Sequence, residues 1–385
     1  MSQMYNFPIQ GMCQDRFLAV KDVFCANFVE RGELGAAVSV YLEGQKIVDL
    51  WGGYQNQEHN LLWQEDTIVC VLSAGKAFAA LGVHILIDQG LIDLEAPVAE
   101  YWPKFGHNGK ESITVRQLLA GQAGLIYLDH LPKGQIFNWN AVVKAIEDQE
   151  PVWKPGTRSA YHSSTFGHLT GELIRKVSGS TVDDFLAKWV FDPLKLDIRY
   201  GLTSIDENRA SDLYPNPNST TLNAIKDTST GIGRAWSGMP DINGFYVNSP
   251  EFRNIVFPAG NAHTNSRSLA KLYAALACGG CLDGIRIISE KTLRQATTLQ
   301  WDGACALTGR NFRYALGFFL NTPELVSMGT NPNGFGHPGA GGSIGFADPE
   351  VGLSFAYSPN RMCAGAGLGD RCEHLIETLY KVIKN

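Results

Sequence analysis

Strand-like text stands at both ends of this 385-residue chain, with a long helical stretch between. Residues Phe17 to Glu30 carry apolar side chains at helical spacing, and Leu34 to Gly53 then read as a hairpin turning at Glu43-Gly44. Helical patterns fill the middle: Lys76 to Gln89, Thr114 to Ala120, Trp139 to Asp148, Ser164 to Val177 and Val182 to Trp189, with no clear strand among them. Strand text returns at 314 to 320, 345 to 347 and 352 to 358, before a terminal amphipathic helix that begins near Glu373. Strands at the two termini bury their faces by meeting, so the pattern predicts one α/β domain from residues 1–72 and 250–385. A mainly helical domain, 73–249, is inserted between them, and its Asn-, Pro-, Ser- and Gly-rich part, 204–249, reads as loop. Ligand clefts favour such junctions, and this one falls near Ser73.

Ser73-Ala74-Gly75-Lys76 sits at that boundary, where the pattern predicts a helix start. Residues i and i+3 are neighbours on a helix, so the Lys76 amine can reach the Ser73 hydroxyl and take its proton. Lysine ordinarily titrates near 10.4, and the apolar neighbours Val69, Val71, Leu72, Ala77, Phe78 and Ala79 favour the neutral amine a base requires. The alternative is a lysine that snorkels to water. Spacing alone is weak, because Ser268-Leu269-Ala270-Lys271 repeats it where a serine capping an amphipathic helix explains everything.

Two other segments bear chemistry. Tyr161-His162-Ser163 precedes a helix start, and a phenol near a cation can act as a general base; alone, Tyr161 also reads as a partly buried aromatic and His162 as a packed or solvated ring. Gly336-His337-Pro338-Gly339-Ala340-Gly341-Gly342-Ser343 is dense enough in glycine for close approach to a ligand, with an N–H available to an oxyanion, or else forms a tight turn feeding an edge strand. Within it, Gly341-Gly342-Ser343-Ile344-Gly345 spells a nucleophile elbow, but Pro349 and strand-like text follow where a helix is required. Gly334 to Gly339 spells a dinucleotide fingerprint and fails on the same ground.

Composition excludes other classes. A net charge of −6 with scattered Lys and Arg lacks the footprint of a nucleic-acid binder, and no run of 18 apolar residues spans a membrane. The N-terminus lacks a secretory pattern, and eight dilute cysteines read as reduced thiols, which together place the protein in the cytoplasm. Cys278-Gly-Gly-Cys281 stands alone at a helix end, so neither a metal nor another cofactor is expected. Nothing specifies an oligomeric state.

In this order, Ser73-x-x-Lys76, Tyr161-x-Ser163 and His337-x-Gly339 resemble the three signature elements of the serine β-lactamase and penicillin-binding-protein superfamily, and within it the class C-like family VIII carboxylesterases. The flanks Ile113 to Leu125, Tyr161 to Gly171 and Phe335 to Ser343 agree, over roughly residues 15 to 380. The resemblance implies an antiparallel sheet flanked by helices with an inserted helical domain. It also implies an acyl-enzyme on Ser73, proton transfer through Lys76 and Tyr161, and an oxyanion hole from the N–H groups of Ser73 and Ala340. Ser163, Trp236, His337 and Gly339 would contact substrate, with specificity set around 216 to 246 and 122 to 139. β-Lactamases carry Tyr-x-Asn and Lys-Thr-Gly at the second and third elements. Histidine, unlike lysine, is mostly neutral at pH 7, which favours neutral esters over anionic β-lactams. The expectation is therefore an esterase for short-chain or unhindered small-molecule esters. A β-lactamase, D-amino peptidase, amidase or acyltransferase of the same superfamily is the runner-up, and an inactive binding protein of this fold is the reading from another class.

Overall fold

A computed structural model describes residues 7–240, 242, 244–365 and 367–384. Its main feature is a ten-stranded antiparallel sheet whose middle is the meeting of the two chain ends: Gly35–Leu42 pairs with Leu353–Pro359, from Ala36 opposite Pro359 to Leu42 opposite Leu353. Outward on one side lie Gln45–Asn56 and Gln10–Cys13, with Leu61–Leu62 attached to Gln45–Asn56. On the other lie Ile344–Asp348, Phe335–Pro338, Phe319–Leu320, Asn311–Tyr314 and Trp301–Ala304. The Glu43-Gly44 turn has both residues at positive φ, the geometry that matches the twist of a two-residue hairpin.

The period-2 alternation of the central strand sorts its side chains to two cores. Ala36, Val38 and Val40 face Phe17, Val20 and Phe24 of the first helical segment and Leu375, Ile376 and Leu379 of the terminal helix Asp370–Lys384. Ala37 and Tyr41 belong to the opposite core, which includes Leu269, Leu272 and Tyr273 of the helix Ser266–Ala277. That helix is capped by Asn265, whose side chain accepts from the Ser268 N–H, while the Ser268 hydroxyl accepts from the Asp197 N–H. Ser268 is thus not the cap the sequence suggested.

Helix Lys76–Asp88 is apolar around its circumference and is buried along most of its length, as such a composition demands. It packs against Phe166–Ser178 and Val182–Leu186. A small second sheet, in the order Ile198–Arg199, His263–Thr264, Ile68–Cys70 and Ala210–Ser211, delivers the chain into that helix. Two of its strands lie in the segment where no strand was expected, and two or three residues are too few to show alternation. The expected strand at 314 to 320 is instead two strands, with Tyr314 opposite Phe319. Gly317, at φ +90°, makes the turn so close to Ala80 that a Cβ would lie 2.3 Å from that side chain.

Helices Leu18–Glu30 and Asp370–Lys384 are joined to the central strand by a buried cluster. The Glu33 carboxylate accepts from the Arg371 guanidinium at 2.5 Å and from the Tyr357 hydroxyl, and Asn27 donates to the Arg371 carbonyl. Burial raises the Glu33 pKa, with Arg371 pulling it back. Removing one partner of such a pair leaves an uncompensated buried charge, so Arg371→Met is expected to cost about 3–5 kcal/mol in urea unfolding. The Glu33→Gln/Arg371→Met double variant should recover much of that loss; an equal or larger loss would show that the charge is not what the cluster compensates.

Candidate active site

The strand Ile68–Cys70 ends in a strained turn. Val71 is held by its N–H to the Ala262 carbonyl at 2.9 Å, and Leu72 takes φ +48°, a left-handed conformation that costs a non-glycine residue about 1–3 kcal/mol. Leu72–Gly75 then forms a 3-10 turn, and the α-helix proper begins at Lys76. The turn places Ser73 on the wall of a cavity and sends the Lys76 side chain inward.

Lys76 is completely buried. Its Nζ lies 3.0 Å from Ser73 Oγ, donates to the Ala259 carbonyl, and stands 4.9 Å from the centre of the Tyr161 ring. Desolvation pushes its pKa well below 10.5, because an ammonium without a carboxylate partner loses more hydration than a carbonyl and a ring return. The side chain does not snorkel. Tyr161 lines the same cavity, its phenol pKa raised by burial with the Ser73 hydroxyl opposing, so burial favours the uncharged form of both groups beside the serine.

The segment carrying Tyr161 is fixed through its neighbours. His162 is buried and neutral, burial lowering it to about 4; its Nδ1 meets the Ala160 carbonyl at 2.9 Å and its Nε2 accepts from the Leu125 N–H. It packs rather than reacts. Ser163 faces the cavity and accepts from the Trp236 indole N–H at 2.9 Å. The 204–249 region that read as loop contains Ser204–Glu207, Thr220–Lys226, Gly231–Ala235 and Tyr246–Asn248 as short helical pieces. Thr203, Ser219 and Thr230, part of the loop signal, are N-caps of three of them.

Opposite Ser73, the edge of strand Phe335–Pro338 runs into the glycine-rich turn. A Cβ on Gly339 would lie 2.1 Å from the Val71 carbonyl and 2.2 Å from Ser343 Oγ, so only glycine allows the two segments to touch. Ser343 completes the junction: its hydroxyl donates to the Val71 carbonyl at 3.0 Å, and its own carbonyl accepts from the Gly339 N–H at 2.7 Å. The serine of the apparent elbow is therefore a clamp, not a second nucleophile. In the two turns the N–H groups of Ala74, Gly339 and Gly342 are taken by Val71, Ser343 and Gly339, whereas those of Ser73 and Ala340 take no backbone partner among the described residues. These are the pair assigned to an oxyanion.

His337 stands elsewhere than expected. It is fully buried and does not line the cavity; its ring packs 5.1 Å from Phe319 and 5.9 Å from Tyr161. Nδ1 meets the Pro338 carbonyl and Nε2 has no partner among the described residues. Burial, then the nearby Lys76, lowers it to about 3, so it is a neutral support behind Tyr161 and not a direct substrate contact.

The cavity, about 160 Å³, takes Leu222, Ile232, Trp236 and Tyr246 from the 216–246 region, and none of residues 122 to 139. A further part of its wall, Cys305, Thr308, Arg310 and Phe312, comes from a hairpin of two four-residue strands that the sequence pattern does not reveal. The Ala259 carbonyl also escaped notice, since a backbone acceptor has no residue signature.

The sheet and the buried helix are those of the β-lactamase fold of serine hydrolases, and the Ser73–Lys76–Tyr161 cluster stands at their junction. The Beta-lactamase family model matches residues 20–371, and the chain belongs to that family. It is 34% identical over 361 residues to the esterase/beta-lactamase LipL of Mycobacterium tuberculosis, covering 91% of this chain and 83% of the relative. Among solved structures, a family VIII carboxylesterase superposes with TM-score 0.88 at 35% identity, covering 97% and 100% of the two chains. A penicillin-binding-protein homologue from Caulobacter crescentus gives 0.87 at 34%, with the same coverage.

If Ser343 acts as a clamp, Ser343→Ala should lower kcat by about fivefold, the value of one hydrogen bond, with KM little changed. Gly339→Ala, which forces the strand edge away, should lower kcat by roughly 100-fold or more, the scale of a lost oxyanion donor. Steady-state kinetics on a chromogenic ester checks both, and complete loss in Ser343→Ala with no labelling of Ser73 by a fluorophosphonate would return Ser343 to candidacy as nucleophile.

Proposed function

We propose that the protein hydrolyses small carboxylic esters through a covalent acyl group on Ser73. The observation that carries this is the buried Lys76 amine, 3.0 Å from Ser73 Oγ and without a carboxylate partner among the described residues. As Ser73 Oγ bonds to the ester carbonyl carbon, its proton passes to neutral Lys76 Nζ, and the carbonyl oxygen becomes an oxyanion facing the N–H groups of Ser73 and Ala340. When the intermediate collapses, the C–O bond to the alcohol breaks, and the proton reaches the leaving oxygen through Tyr161, whose phenol keeps its own proton at working pH. Water then attacks the acyl carbon, gives a proton back along the same path, and frees Ser73. With the phenol pKa raised and the amine pKa lowered, Lys76 is the principal base and Tyr161 the relay.

Three features support esters. The cavity wall is mostly apolar, Ser163 replaces the asparagine amide that positions amide substrates, and no lysine stands at the His337 position. The relative named an esterase/beta-lactamase and the structural neighbour named a family VIII carboxylesterase agree with this. The same relative's double name supports weak β-lactam hydrolysis as a side reaction. The acyl groups in this reading are short or unhindered. No helix among the described residues is long and apolar enough to cross a membrane, and dilute cysteines support a cytoplasmic setting.

Intact-mass analysis after mixing with 4-nitrophenyl butyrate should show one acyl adduct that maps to Ser73 and is absent in Ser73→Ala. Parental turnover by folded Ser73→Ala would contradict the proposal. In a second measurement, kcat/KM should rise with pH through a single ionisation well below 10.5, as the depressed Lys76 amine loses its proton, and then stay level because Tyr161 remains protonated. A profile unaltered by Lys76→Ala would assign the base elsewhere.

A further inference from the structure

We propose that Arg310 is an anion-binding residue of this cavity, so that the esters the enzyme prefers carry a carboxylate away from the scissile bond. The inference rests on the ester reading above and specifies its substrate class. Among the described residues that line the cavity Arg310 is the only charged one and none is Asp or Glu; the Lys76 pKa is pushed well below 10.5, and His337 stands outside. A substrate entering beside Ser73 therefore meets one permanent charge, and it is positive.

The arginine's surroundings favour a ligand over an internal partner. The Arg310 side chain is exposed and its guanidinium makes no ion pair or hydrogen bond among the described residues, so its fork is open to a ligand. Its backbone is anchored all the same. The loop between strands Trp301–Ala304 and Asn311–Tyr314 closes with the Cys305 N–H on the Arg310 carbonyl at 2.8 Å. The loop is tied to the catalytic segment by the Ala306 N–H on the Ser159 carbonyl at 2.9 Å and by the Tyr161 N–H on Cys305 Sγ at 3.3 Å. The base of this side chain is thus held in register with Tyr161. A guanidinium is weakly hydrated and presents a planar fork that matches a carboxylate, so against an apolar wall it selects such a group while leaving the acyl chemistry unchanged. In a chain of net charge −6, a lone cation at the cavity also opposes the background repulsion that an anionic substrate would feel.

The test compares wild type, Arg310→Ala, Arg310→Lys and Arg310→Glu on three chromogenic esters. They are 4-nitrophenyl butyrate, 4-nitrophenyl hemiglutarate with its carboxylate on the acyl side, and 5-butyryloxy-2-nitrobenzoate with its carboxylate on the alcohol side. Arg310→Ala should lower kcat/KM for at least one anionic ester by about fivefold, and Arg310→Glu by more, while the neutral ester changes by less than about twofold. Arg310→Lys should retain part of the preference, and added salt should shrink it. Which anionic ester responds tells whether the acyl or the alcohol portion carries the charge. Equal losses on all three esters would make Arg310 a structural residue, and no loss on either anionic ester would make it a solvated side chain; both overturn the proposal. Calorimetric binding of phenylboronic acid and its 3- and 4-carboxyl derivatives, which need no ester turnover, separates the two readings. If wild type cleaves none of the esters yet Arg310→Ala weakens only the carboxylated boronates, the ester reading fails and the anion site stands.

Discussion

Everything in this site depends on the dryness around Lys76. An amine three residues after a serine is common in helices, and in water it would be an ammonium with no proton-accepting power. Here it is enclosed by the Ala259 carbonyl, the Tyr161 ring and the apolar helix that bears it, with no carboxylate partner among the described residues. Burial thus favours the neutral amine that the proposed base requires, and the stability lost by burying it is recovered from the large apolar core around helix Lys76–Asp88.

That enclosure exists only because two distant parts of the chain are forced together. Pairing of Gly35–Leu42 with Leu353–Pro359 fixes the sheet, and the sheet aims strand Phe335–Pro338 at the turn before Ser73. Gly339 then permits backbone contact with Val71, and the Ser343 hydroxyl holds it. One junction therefore sets both the strained turn that presents the nucleophile and the position of the Ala340 N–H opposite it. Arg310 reaches the same cavity from a further hairpin tied to Tyr161, so chemistry and selectivity come from separate, mutually anchored strand ends.

What could be read beforehand follows from what carries information in side chains. Ser73, Lys76, Tyr161 and the His337-Pro338-Gly339 run could be named from sequence because proton transfer and close backbone approach require particular residue types. The long helices Leu18–Glu30, Trp139–Asp148 and Phe166–Ser178 were legible from their periodicity, and the Gly35–Asn56 hairpin from alternation and its Glu43-Gly44 turn. The Ala259 and Val71 carbonyls were not legible, since any residue supplies one. The small sheet beside Ser73 has strands of two or three residues, below the length at which a period shows. Residues 204 to 249 looked like loop because Ser and Thr caps and turn residues share one vocabulary. His337 differs for another reason: its strand neighbour Pro338 lines the cavity, and alternation along Phe335–Pro338 turns the histidine ring to the other face, against Tyr161 and Phe319.

The central claim is that Lys76 is an uncharged base at neutral pH. It is tested most directly by NMR titration of protein labelled with 13C at the lysine ε-carbons, the Lys76 signal being assigned by its absence in Lys76→Met. A resonance in the neutral-amine position at pH 7.5 that titrates well below 10.5 is the predicted result. A Lys76 signal that titrates with the other lysines near 10.4 would contradict the account.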